Sequence, residues 1–145
     1  MMMKKLIGFL ALACLPLLAS AQYFQDFAGC PDAGVVVRQV TSLPFFGKSS
    51  DDMQSYFSEK LEPILQNQDP SGDIILTVII GEDGAPCLSS YQLNGQVRIE
   101  PNHLKNIVDG MQGWQPARQE EVIVPYAATI NLRFKGNKVV ARLVK

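Results

Sequence analysis

The longest apolar–polar alternation in the chain runs over residues 122–134. Val122, Val124, Tyr126, Ala128, Ile130, Leu132 and Phe134 fall on one face, and Pro125, Thr129, Asn131 and Arg133 on the other. A period of two is that of a half-buried β-strand. Pro125 lacks an N–H, so it belongs near the strand start or on an unpaired side. A second signal is the apolar run over residues 73–81, broken by Glu82, Asp83 and Gly84. Asp-Gly is a strong hairpin-turn signal. Ile74, Leu76, Val78 and Ile80 share one face, and Ile75, Thr77 and Ile79 the other. A strand apolar on both faces predicts a central place in a sheet. The returning strand is expected to turn Cys87, Tyr91 and Leu93 inward and Leu88, Ser90, Gln92 and Asn94 outward. That polar side places it nearer an edge.

Two helices complete the pattern. Ser49 or Ser50 can cap the first, with Asp51 and Asp52 favourable in its first turn. Met53, Tyr56, Phe57, Leu61, Ile64 and Leu65 recur at helical spacing, and Pro63 inside the pattern predicts a kink or a division. Glu100 and Pro101 open the second helix. Its core stripe is Leu104, Ile107, Val108 and Met111. Residues 35–40 read as a short β-branched strand, and residues 42–47 as a loop. Residues 135–138 form a turn, and residues 139–144 a last strand that pairs back onto the strand before it. Residues 22–34 show no clear period. Their aromatics Tyr23, Phe24 and Phe27 are expected to pack onto the domain.

The N-terminus reads as a targeting segment. Lys4 and Lys5 precede an apolar run over residues 6–18, and Ala19-Ser20-Ala21 has the small-x-small form of a signal-peptidase site. Cleavage there would start the mature chain at Gln22. Lipidation of Cys14 and an uncleaved anchor are the rival readings. The apolar run is shorter than the roughly 20 residues of an ordinary membrane span. The division expected is a signal peptide over 1–21, an N-terminal segment over 22–34 and a single domain over 35–145. The destination expected is the periplasm or the exterior of a Gram-negative-type envelope.

Export changes the cysteines. Cys14 leaves with the leader, and Cys30 and Cys87 remain. An oxidising compartment favours a Cys30–Cys87 disulfide. Two separate buried thiols are the other reading, since free cysteine packs as a small hydrophobe. Without Lys4 and Lys5 the basic residues fall from 13 to 11 against 14 acidic ones, a net charge of −3. That balance argues against nucleic acid as a partner.

Candidate chemistry is sparse. Two cysteines and the single His103 match no metal-ligand spacing, and Glu82 and Asp83 read as a solvated turn rather than a cation site. His103 reads as a surface residue without a catalytic partner. Trp114 caps the core or serves as a ligand platform. With no nucleophile–base pair and no phosphate-binding glycine loop, neither an enzyme nor a cofactor is expected.

Five stretches in order resemble the TonB C-terminal domain family. Pro44-Phe45-Phe46-Gly47 resembles the family's Pro-x-Phe-x-Gly lead-in. Residues 56–63, closing on Pro63, are similar to its first helix. Residues 72–84, from Gly72 to Gly84, resemble its glycine-bounded hairpin. Residues 111–117, with Trp114 and Pro116, resemble its Trp-x-Pro turn, and residues 126–134 its closing strand. The resemblance covers residues 36–134. It implies an α+β fold in two layers, with helices on one face of a small antiparallel sheet. It also implies a non-enzymatic role, in which a transporter's peptide joins the sheet as an added strand.

The chain departs from a complete transducer. It lacks a retained anchor and a Pro-rich spacer. It also carries the extra strand 139–144, which would cover the edge a peptide would use. The interaction edge expected is therefore Lys138, Val139, Val140, Ala141, Arg142 and Leu143. Its occupant would be a partner peptide, a partner protein or a second copy of the chain. Arg133, Lys135, Lys138, Arg142 and Lys145 stand there without an acidic residue. They either attract an acidic partner or discourage unwanted edge pairing. The alternative function is a structural or accessory envelope domain whose sheet edge caps itself.

Overall fold

The computed structural model describes residues 22–37 and 39–145. The expected leader, with Lys4, Lys5, Cys14 and the Ala21–Gln22 junction, lies outside the described residues, as does Arg38. In chain order the elements are β1 (Gln22–Asp26), β2 (Phe45–Phe46), α1 (Ser50–Leu65), β3 (Ser71–Ile80), β4 (Pro86–Gln96), α2 (Pro101–Asp109), β5 (Trp114–Gln115), β6 (Ala117–Gln119), β7 (Val122–Val124), β8 (Tyr126–Lys135) and β9 (Lys138–Val144).

Five strands form one antiparallel sheet in the order β1-β4-β3-β8-β9. The apolar run of β3 thus takes the centre, with two strands on each side. Ile74, Leu76, Val78 and Ile80 are buried, as are Ala128, Ile130, Leu132 and Phe134 of β8 beside them. Met53, Phe57, Leu61 and Leu65 of α1 join the same core, together with Leu104, Ile107 and Val108 of α2. Both helices therefore cover one face of the sheet, and the fold is α+β. Full burial of an aliphatic or aromatic side chain contributes about 1.5–3 kcal/mol relative to leaving it exposed. The opposite face carries half-exposed Ile75, Thr77, Thr129 and Asn131.

The caps agree with the sequence. Ser49 is the N-cap of α1 and forms a capping box with Asp52. Glu100 caps α2, its carboxylate accepting from the N–H groups of Asn102 and His103, and Pro101 follows at the first turn. Pro63 neither ends nor divides α1, which continues to Leu65. Pro63 is exposed and lies in the last turn, with only Ile64 and Leu65 of the helix after it.

Four expectations are corrected. Residues 35–40 do not form a strand among the described residues. Val37 makes an isolated parallel bridge to Tyr126, and Val35 is exposed. Residues 22–26, which show no period, form β1 on the outer side of β4. Phe24 is 61% exposed there rather than packed. A register shift of β4 against Thr77 and Val78 leaves Ser89 as the extra residue of a β-bulge. Leu88 consequently turns inward and is fully buried, whereas Cys87 is only half-buried. The alternation over 122–134 is two strands. Pro125 divides it, so that β7 pairs with β6 in a separate ribbon and Val122 is 64% exposed.

Candidate functional site at the outer edge of the last strand

The strand β9 pairs with β8 on one side, from Lys135↔Lys138 to Thr129↔Val144. In an antiparallel ladder the N–H and C=O of alternate residues face the same way. Val139 and Ala141 direct backbone groups away from β8, because both meet the side chain of Gln54. The Gln54 Oε1 accepts from the Ala141 N–H at 2.8 Å, and Nε2 donates to the Val139 C=O at 2.7 Å. Leu143 belongs to the same outward set by alternation. By that alternation its N–H and C=O, like the Ala141 C=O, turn away from β8, and no loop or side chain among the described residues bonds them.

A groove of about 600 Å³ lies against this free stretch. Ala141, Arg142, Leu143 and Lys145 form one wall, Ser49, Ser50 and Met53 of α1 another, and residues 41–46 with Trp114 the third. The wall is largely apolar, with Leu43 37% and Phe45 38% exposed. Local structure explains why this loop stays beside β9. The β2 strand pairs with β5, placing Phe46 opposite Trp114 with ring centroids 5.4 Å apart. The Phe46 ring also meets Tyr56 edge-on at 5.7 Å. The Gly47 N–H donates to the Gly113 C=O at 3.0 Å. The Thr41 N–H and Oγ1 both donate to the Arg118 C=O, and Oγ1 accepts from the Glu120 N–H at 2.7 Å.

The residues that carry the family resemblance fall in three places. Phe46, Gly47, Gly84, Trp114 and Pro116 gather at the groove end of the fold. Gly84 has φ +78°, and a Cβ there would stand 2.5 Å from the Trp114 carbonyl oxygen. Only glycine combines that backbone with that approach. Pro44 is buried in the adjoining loop. Pro63 lies on the exposed side of α1. Gly72 pairs with Gly95 where β3 and β4 cross closely, and a Cβ on Gly72 would overlap the Asn94 carbonyl.

Of the expected edge residues, Val139 and Ala141 bury their side chains in the core, and Leu143 is partly buried against it. Val140 and Arg142 face solvent on the far side of the sheet. Lys138 is exposed and reaches Glu62 at 4.0 Å. Gln54 and the wall at Leu43 and Phe45 are functional candidates that sequence reading missed. A glutamine beside a helical apolar stripe carries no signal of what it touches.

Cys30 and Cys87 are joined by a disulfide, α-carbons 5.7 Å apart. Cys87 stands at the start of β4, three residues after Gly84, and β3 and β8 separate that strand from β9. The Lys105 Nζ stands 3.5 Å from the Cys87 sulfur, 2.9 Å from Asp109 and 5.3 Å from the centroid of the Phe27 ring. His103 is exposed at the start of α2. Burial raises the pKa of the Tyr56 hydroxyl, which donates to the Ile107 carbonyl and ties α1 to α2. Burial likewise raises that of Tyr91. Among the described residues no group of three or more His, Cys, Asp or Glu could hold a metal ion. No helix among them is long and apolar enough to cross a membrane.

Comparison with family models, curated proteins and solved structures finds no match to this chain.

Proposed function

We propose that the chain is a non-enzymatic interaction domain of the cell envelope that takes an extended peptide of a partner protein as an added strand at the outer edge of β9. One observation carries this reading. The unpaired backbone groups of Ala141 and Leu143 run along a largely apolar groove. Strand addition needs these two things together, since main-chain hydrogen bonds supply affinity and an adjoining pocket supplies specificity. Lys145 at the groove and Arg142 on the far face of the same edge favour a peptide with acidic flanks. The order of elements and the Phe46, Gly84 and Trp114 cluster support a TonB C-terminal-like fold, and with it a link to outer-membrane transport. The apolar leader and the Cys30–Cys87 pair support export to an oxidising compartment.

The second reading is an accessory domain whose sheet edge is closed. Its support is the Gln54 side chain on Val139 and Ala141. Site-resolved crosslinking in the intact envelope separates the two. A photoreactive residue replaces Leu43 or Phe45 at the groove, or Phe24 at the opposite edge. Peptide capture predicts one protein crosslinked from both groove positions and none from the position of Phe24. Crosslinks from Phe24 alone, or none at all, overturn it.

A further inference from the structure

The side chain of Gln54 ends in a carboxamide, the same chemical group as a peptide bond, and it stands where an added strand would place one. A residue of a parallel neighbour lying opposite Val140 would donate to the Val139 C=O and accept from the Ala141 N–H. Gln54 makes these same two bonds, at 2.7 and 2.8 Å. Its Nε2 also donates to Ser58 Oγ at 2.8 Å, so both amide protons are used. The group is held by a rigid scaffold, since Met53 and Phe57 on the same helix are buried in the core.

We propose that Gln54 sets the register of strand addition. It fills the edge position opposite Val140 and confines an incoming backbone to the groups from the Ala141 C=O onward. The inference rests on the peptide-capture reading above. What remains open is the Ala141 C=O with the N–H and C=O of Leu143, the stretch that borders the groove. The occupant is then a short extended segment of a partner protein with acidic flanks, gripped at one end of β9. A second copy pairing through its own β9 is disfavoured, because Lys138 and Arg142 would face like charges.

Amide hydrogen exchange followed by NMR on the 22–145 chain tests this, with the acetylated and amidated hexapeptide Glu-Val-Thr-Val-Thr-Glu as probe. In the unaltered protein the peptide slows exchange at Leu143 and leaves Ala141 as it was. In Gln54→Leu the Ala141 amide of the free protein exchanges roughly tenfold faster, and the peptide then protects both amides. Gln54→Met, closer to glutamine in shape and without the carboxamide, should accelerate Ala141 by a similar factor; this second variant guards against a folding defect in the first. Protection of Ala141 by peptide in the unaltered protein overturns the proposal. So does unchanged Ala141 exchange in a folded Gln54→Leu. If Ala141 accelerates as expected but the peptide protects neither amide in any variant, peptide capture itself fails and the register role goes with it.

Discussion

The carboxylate of Asp109 accepts a 2.7 Å hydrogen bond from the backbone N–H of Leu88. Leu88 sits at the bulge of β4, where the ladder to β3 shifts register and a backbone donor loses its strand partner. Asp109, the last residue of α2, supplies the missing acceptor. Lys105 completes the join, binding Asp109 at 2.9 Å and the Leu88 carbonyl at 3.2 Å. Asp109→Ala leaves a donor beside a fully buried side chain unsatisfied. The expected loss is about 1–3 kcal/mol in urea denaturation. Asp109→Asn keeps an acceptor oxygen and should lose less. Equal losses in the two variants would show that the charge rather than the bond matters.

The disulfide closes a separation of 57 residues and holds the loop after β1 against β4. Chain-entropy arguments assign such a closure roughly 4 kcal/mol. Replacing both Cys30 and Cys87 by Ser should lower stability by that order. The largest local effect should fall on β1, which is otherwise held by its ladder to β4 and by Phe27 against Tyr91 and Lys105. Amide exchange at Tyr23 and Gln25 should accelerate more than exchange in β3. Mass spectrometry of the exported protein without reductant gives an independent check, where two free thiols would contradict the pairing.

Asp52 accepts from the Lys48 N–H at 2.6 Å and the Ser49 N–H at 3.1 Å. These bonds favour the ionised form and hold its pKa below the ordinary 3.8. Unfolded, the group titrates at its ordinary value and so binds more protons through this window. Its contribution to stability is therefore present above 3.8 and is lost as the pH falls through the lower folded value. Asp52→Asn should be less stable than the unaltered protein near neutral pH, and the gap should close below that window. A gap independent of pH would remove the carboxylate from the account.

Hydrophobic period located β3, β8, β9 and both helices because each buries one complete face. It failed where the determining contact is remote or backbone-only. The Gln22–Asp26 strand lacks alternation, since Phe24 stays exposed and the strand is held by β4 and the disulfide loop. The Ser89 bulge moved Leu88 inward without any glycine or proline to announce it. Pro125 announced its break, yet the unbroken alternation around it concealed that Val122–Val124 leaves the main sheet. Of the candidate site, the strand was readable from Lys138 to Leu143. Its limiting contact was not, because Gln54 is 85 residues from Val139 along the chain.

Trp114 joins the core to the groove, and its substitution separates packing from polarity. The indole is 6% exposed, lies against Phe46 and lines the groove. Its Nε1 is buried without a hydrogen-bond partner among the described residues. Trp114→Ala removes the ring, and the expected cost is about 3–5 kcal/mol, with the residue 41–46 wall released from the end of β9. Trp114→Phe retains a ring for Phe46 and removes the unpaired N–H. A buried unsatisfied donor costs about 1–3 kcal/mol, which offsets most of the volume lost on going to phenylalanine. The Phe variant should therefore lie far closer to the unaltered protein than to the Ala variant in thermal and urea unfolding. It should also keep the groove, read as unchanged amide shifts at Phe45 and Leu143. If Phe costs nearly as much as Ala, the indole N–H makes a bond worth keeping, and a water or ligand partner at Nε1 becomes the explanation.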